Sequence, residues 1–186
     1  MTARLLLCLL LALNLPAFAR ADKALEVAVK RVDGEDDGKV YQISASGVVQ
    51  AAPAAVWKIL TDYERMHEFV PDMRASRVLA RVGNKVIVEQ FGTAHLLFIR
   101  RDIHLIVQVT EQAMSVIDIG LVTGDMKVYT CRWELIPMPE TGGTRIVYTG
   151  TLAPKFYVPG MLGANIIRGD IEHMMTAVLA RLDRPE

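Results

Sequence analysis

The chain has 186 residues, and its 21 Lys plus Arg are matched by 21 Asp plus Glu. That length suits one domain with a substantial core, and the even charge, with no basic stripe, argues against a nucleic-acid partner. Nine Met residues in a chain that is 52% hydrophobic supply soft side chains that fill irregular gaps and line adaptable surfaces.

The first residues run Met1 to Arg4, then an apolar stretch from Leu5 to Leu13, then Pro16 and Ala17-Phe18-Ala19. One positive charge, a short apolar region and a small-x-small site read as a secretory signal peptide over residues 1–19, with Ala21 as a second cleavage option. The run is much shorter than the roughly 20 apolar residues of a spanning helix. Export to the periplasm is therefore expected, with the folded domain over residues 22–184. Behind the leader Cys131 is the one cysteine, so no internal disulfide is expected.

Leu25 to Val32 alternates like a strand, Asp33 to Gly38 is a turn cluster, and Lys39 to Gln50 reads as the second arm of a hairpin. Pro53 then fits the first turn of a helix, where its missing N–H is no loss. Val56, Ile59 and Leu60 share its apolar side, and Thr61-Asp62 offers a cap for a second short helix closed by Pro71. Six further strands are expected at Ala75–Val82, Lys85–Thr93, Phe98–Val109, Met114–Leu121, Met126–Ile136 and Thr144–Leu152, the first pair joined through Gly83-Asn84. From Val158 the period turns helical, and Leu162, Ile166, Ile167, Ile171, Met174, Met175, Val178 and Leu182 make one wide apolar face.

The segment Pro53-Ala-Ala-Val-Trp57-Lys-Ile-Leu-Thr-Asp-Tyr-Glu64, followed by Phe69-Val70-Pro71, resembles the START-like (SRPBCC) superfamily, within it the polyketide cyclase and coenzyme Q-binding branch. The hairpin from Trp133-x-Leu135-x-Pro137 to Thr144-x-Ile146-x-Tyr148 adds to the likeness, which covers nearly all of residues 22–184. The resemblance implies an α+β helix-grip fold: a curved antiparallel sheet wrapped around a long C-terminal helix, with two short helices after the first strands. It also implies an internal cavity for a hydrophobic small molecule or lipid, and it leaves room for transient membrane contact.

Strand alternation proposes an inner face. Ile99, Ile103, Leu105, Val107 and Val109 share one parity, as do Ile117, Ile119 and Leu121. Tyr129, Cys131, Trp133 and Leu135 follow, then Ile146, Tyr148, Gly150 and Leu152, where the small Gly150 beside Tyr148 suits either a hollow or a packed core. Apolar stripes are ordinarily core, so only some of these residues would meet a ligand. The cavity candidates are Phe91, Leu105, Val107, Ile119, Tyr129, Trp133, Tyr148, Leu162 and Ile166.

Reactive chemistry is not spelled out. His67, His95, His104 and His173 form no H-E-x-x-H or other close metal pair. Asp33, Glu35 and Asp37 mimic the start of a calcium loop, but Ser44 stands where its bidentate Glu belongs. No nucleophile elbow or phosphate loop is present, and no cofactor is expected. Tyr63 is expected to pack with its hydroxyl in water. The expected function is a non-catalytic carrier of a lipid, quinone or other apolar molecule. Two alternatives stay open: a cyclase or aromatase using inner-face groups such as Tyr129, Tyr148, Asn165 or His173, and an envelope protein-interaction module. The sequence does not set the oligomeric state.

Overall fold

The computed structural model describes residues 25–34, 39–96, 99–158 and 162–184; the expected leader and most of the Asp33–Gly38 turn lie outside the described residues. Strands β1 (Glu26–Asp33) and β2 (Lys39–Val49) pair as a hairpin, and helix α1 (Pro53–Leu60) and a 3-10 helix (Tyr63–Glu68) follow. Strands β3 (Met73–Val82), β4 (Lys85–Leu96), β5 (Ile99–Gln112), β6 (Val116–Gly124), β7 (Met126–Met138) and β8 (Gly143–Pro154) lead into helix α2 (Gly163–Leu182). The eight strands form one sheet in the order β1-β2-β8-β7-β6-β5-β4-β3, with every neighbouring pair antiparallel. Because β2 pairs with β8, the α1 and 3-10 segment must carry the chain across the sheet to the far edge strand β3. This is the α+β helix-grip arrangement expected from the resemblance.

Local chemistry sets the boundaries. Pro53 occupies the first turn of α1, and the Ala52 carbonyl accepts from Ala55 and Val56 N–H at 3.0 and 3.1 Å. At the far end the Thr61 hydroxyl donates back to the Trp57 carbonyl, 2.8 Å. The expected Asp62 side-chain cap is not made; its backbone carbonyl instead accepts from Arg65 N–H at 3.1 Å. The β3–β4 turn falls at Gly83-Asn84, with Gly83 at φ 57°. β6 starts at Val116 rather than Met114, since Met114 takes the left-handed conformation (φ 56°) in the turn. α2 starts at Gly163, later than the apolar pattern from Val158 suggests.

The sheet's inner face follows the alternation. Leu105, Val107, Val109, Ile117, Cys131, Trp133, Leu135, Ile146 and Tyr148 are all buried. Facing them, α2 buries Ile167, Ile171, Met175, Val178 and Leu182, one residue per turn. The helix leans on β1 and β2, where Gly47 lets it come close: a Cβ there would collide with the Leu179 side chain. Gly163 plays the same part against the hydroxyl of the buried Tyr41. The fully buried Thr144 hydroxyl donates to the Ala51 carbonyl at 2.8 Å, pinning β8 to the start of α1 without leaving an unpaired polar group.

Candidate functional site: an apolar pocket between helix and sheet

Because α2 leans toward β1 and β2, it does not fill the space over the β3–β5 end of the sheet. A pocket of about 260 Å³ remains there. Its floor comes from inner-face residues of β4 and β5, namely Gln90, Gly92, Ile103 and Leu105, with Met126 and Tyr129 from β7. Ile171 and Met174 of α2 form the opposite wall, and Val70, Pro71 and Met73 close one side. Val70 and Pro71 end the Trp57–Pro71 segment, so the stretch that carries the family resemblance also delivers part of the wall.

The predicted cavity residues divide. Leu105 and Tyr129 lie on the wall. Phe91 borders the pocket, but its ring stacks on His104, 4.6 Å between centroids. Val86 and Val88 are fully buried, so even-numbered β4 residues face inward and Phe91 faces out. Val107, Trp133 and Tyr148 are sealed in the core, the last two packed ring against ring at 4.7 Å. Ile119 is half-buried on β6 and Ile166 half-buried on α2, both away from this pocket. Leu162 is 45% exposed ahead of the first turn of α2, not lining the pocket. Sequence reasoning missed Met73, Met126, Ile171 and Met174, although the last two belong to the apolar helix stripe it had identified.

At the inner end, Tyr129 meets a small polar cluster. The Cys131 thiol lies 3.9 Å from the Tyr129 hydroxyl, and the Tyr148 hydroxyl sits over Gly150. The space left by Gly150 is thus occupied by Tyr148 rather than hollow. Burial pushes the Cys131 thiol up to about 11. The neighbouring sulfur, then burial, keeps the Tyr129 phenol protonated, and burial does the same for Tyr148.

The outer end is acidic. Asp72 sits at φ 61°, its carbonyl accepting from Thr93 N–H at 2.9 Å and its carboxylate 3.0 Å from His95 Nε2. Gly92 lets the Asp72 backbone pass: a Cβ would lie 3.0 Å from its carbonyl oxygen. Asp170 enters from α2. Burial first, then the Asp72 charge, raises its pKa, while His95 and His173 act the other way. No group of His, Cys, Asp or Glu among the described residues is arranged to hold a metal ion.

Elsewhere the ionisable residues serve structure. Tyr63 is buried, and its hydroxyl donates to Glu111 at 2.8 Å rather than to water, with Arg81 completing the set. Glu89 is held between Arg77 and His104 on the outer face. A larger hollow of about 1070 Å³ also lies on that face, in the saddle of the sheet. Its walls combine Gln42, Ser44, Gln108, Thr110, Thr130 and the Asp118–Arg132 ion pair with Ile119, Leu121 and Val122, a mixed polar and apolar surface rather than an apolar compartment.

The family model for polyketide cyclase/dehydrase and lipid transport proteins matches residues 49–179, more than half of the chain. The chain belongs to that family. As a polyketide cyclase/lipid transport family member, it shares its fold with solved START structures. A START superfamily protein from Mycobacterium smegmatis has 19% identity and a TM-score of 0.65, the match covering 76% of this chain and 97% of that one. A STAR-related lipid transfer protein from Xanthomonas axonopodis has 17% identity and a TM-score of 0.63, covering 84% and 99%. The Zhui aromatase/cyclase of a Streptomyces species has 12% identity and a TM-score of 0.65, covering 78% and 94%. Comparison with curated proteins found no match.

Proposed function

We propose that this family member is a carrier that shelters one hydrophobic small molecule, a lipid or quinone, in the pocket between α2 and β3–β5, without transforming it. The observation that supports this most is the wall itself: Met73, Ile103, Leu105, Met126, Ile171 and Met174 offer an apolar surface beside only a few polar groups. Covering apolar area stabilises a complex by about 25 cal/mol per Å², and such a lining is the usual form of a small-molecule site. The three Met side chains are flexible and polarizable, which suits a ligand of loose shape. At 260 Å³ the pocket falls just below the range of roughly 300–1,000 Å³ that holds drug-sized ligands, so one short chain or ring system fits better than a two-chain lipid. The family's name, and the lipid transfer and cyclase names of its structural relatives, agree with an apolar cargo.

On the N-terminal pattern we further propose that this carrier works in the periplasm, after cleavage that leaves Arg20 or Asp22 first. N-terminal sequencing of the protein from cell envelopes tests that part separately: an intact Met1 or Thr2 terminus would exclude it. The carrier reading itself is tested by native mass spectrometry of that protein, with organic extraction of anything bound. A stoichiometric apolar molecule supports it. An empty protein that also refuses a panel of lipids and quinones sinks it.

One observation favours a second reading. Tyr129 lines the pocket and its phenol is held protonated, a donor of the kind that polarises a carbonyl in a cyclase or aromatase. Turnover that survives Tyr129→Phe unchanged would remove that support.

A further inference from the structure

We infer that the pocket selects amphiphiles with a cationic head over those with an anionic one, the head resting between Asp72 and Asp170 while the apolar part enters toward Tyr129. This rests on the carrier reading and adds the ligand's charge class to it.

Both carboxylates line the same pocket from different elements, Asp72 from the turn before β3 and Asp170 from α2. Among the described residues, no Lys or Arg lines the pocket. Asp72 has a neighbour in His95, 3.0 Å away, whereas the Asp170 carboxylate has no hydrogen bond or ion pair to any described residue. The charges felt by Asp170 are those of Asp72, His95 and His173.

Two of the nearby arginines are engaged, while Arg100, opposite His95 in the β4–β5 ladder, is exposed. Arg74 spans Asp102, at 3.1 Å, and the Gly92 carbonyl, at 3.3 Å. Arg101 lies over the Phe156 ring, 5.0 Å from its centroid. The carboxylates that line the mouth are Asp72 and Asp170, with the His95 and His173 rings near them. A carboxylate or phosphate head would add a third like charge beside the two carboxylates, whereas an ammonium or amidinium head would relieve their repulsion. Burial matches this order: Leu105 is buried and Ile103, Met126 and Met174 are half-buried, whereas Asp72 and Asp170 are exposed, as an amphiphile requires.

The test is isothermal titration of the full chain with three ligands of equal chain length, decyltrimethylammonium, decanol and decanoate, each below its micelle concentration. The expected result is binding of the cation about five-fold or more tighter than decanoate, the modest gap that partly exposed charges allow. That preference shrinks in high salt. It falls toward unity in Asp170→Asn and in Asp72→Asn, because cation binding weakens more than decanol binding in both. Decanoate binding as tightly as the cation, or a preference that both variants retain, overturns the charge inference and leaves the carrier reading standing. Failure of all three ligands, decanol included, overturns the carrier reading itself.

Discussion

The Cys131 thiol and the Tyr129 hydroxyl lie 3.9 Å apart at the boundary between the pocket and the sealed core. Tyr129 belongs to the wall, and Cys131 to the buried inner face. Burial that raises the thiol to about 11 leaves on the order of a thousandth of it as thiolate at pH 8. Cys131 should therefore react with iodoacetamide far more slowly in the folded protein than in urea. A folded-state rate near that of the unfolded chain would show that the inner end of the pocket is open to water.

Adjacent methionines on α2 separate core from wall. Met175 is fully buried, whereas Met174 is half-buried and lines the pocket. Met175→Ala should cost about 2–5 kcal/mol by leaving a cavity in packed surroundings. Met174→Ala should cost distinctly less, since its side chain already borders space, and should change ligand affinity instead. Urea melts with a decanol titration on both variants check this; equal stability losses would mean that no pocket is present beside Met174.

Two helix glycines should respond with opposite signs. A Cβ on Gly169 meets nothing within 4 Å, so Gly169→Ala should stabilise by up to about 1 kcal/mol through helix propensity. A Cβ on Gly163 would collide with the Tyr41 hydroxyl and approach Val158 Cγ1 at 2.8 Å, so Gly163→Ala should destabilise. Thermal melts of both variants decide it, and a stabilised Gly163→Ala would contradict the close approach of α2 to β2.

Asp170 gives a pH signature. Its pKa is raised above the ordinary 3.8, by burial first and then by Asp72. The folded state therefore binds this proton more tightly than the unfolded chain does. Its carboxylate destabilises the fold above the raised pKa, and that cost fades as pH falls and vanishes below 3.8. Asp170→Asn should be more stable than the parent at pH 7, by less than about 1 kcal/mol because solvent screens the site, and equal to it at pH 3. A variant that is less stable at pH 7 would contradict this. A gain in stability with loss of cation binding would mark Asp170 as kept for its ligand.

The sheet was legible because half-buried strands write their faces in alternation. Leu105, Val107 and Val109 on β5, and Cys131, Trp133 and Leu135 on β7, were readable on that ground. β4 was harder. Ile87 and Phe91 share the parity of Glu89, so apolar residues occur on both sides, and only the complete burial of Val86 and Val88 shows which side is inner. The pocket was less legible than the core for a geometric reason. The stripe on α2 marks Ile167, Ile171 and Met174 alike, but the helix's lean toward β1 and β2 decides which of them faces packed side chains and which faces space. The mouth was least legible of all, since Asp72 and Asp170 meet across nearly 100 residues of sequence and neither sits in a recognisable motif.

The most direct test of an apolar ligand site between α2 and β3–β5 is methyl-labelled methionine NMR during a decanol titration. Met73, Met126 and Met174 line the pocket, whereas Met66 and Met175 are buried outside it and Met114 lies exposed in the β5–β6 turn. The expected result is saturable shifts of the Met73, Met126 and Met174 methyls, with the other three nearly still. Shifts centred on Met66, Met114 or Met175, or no saturable shift at all, would contradict the site.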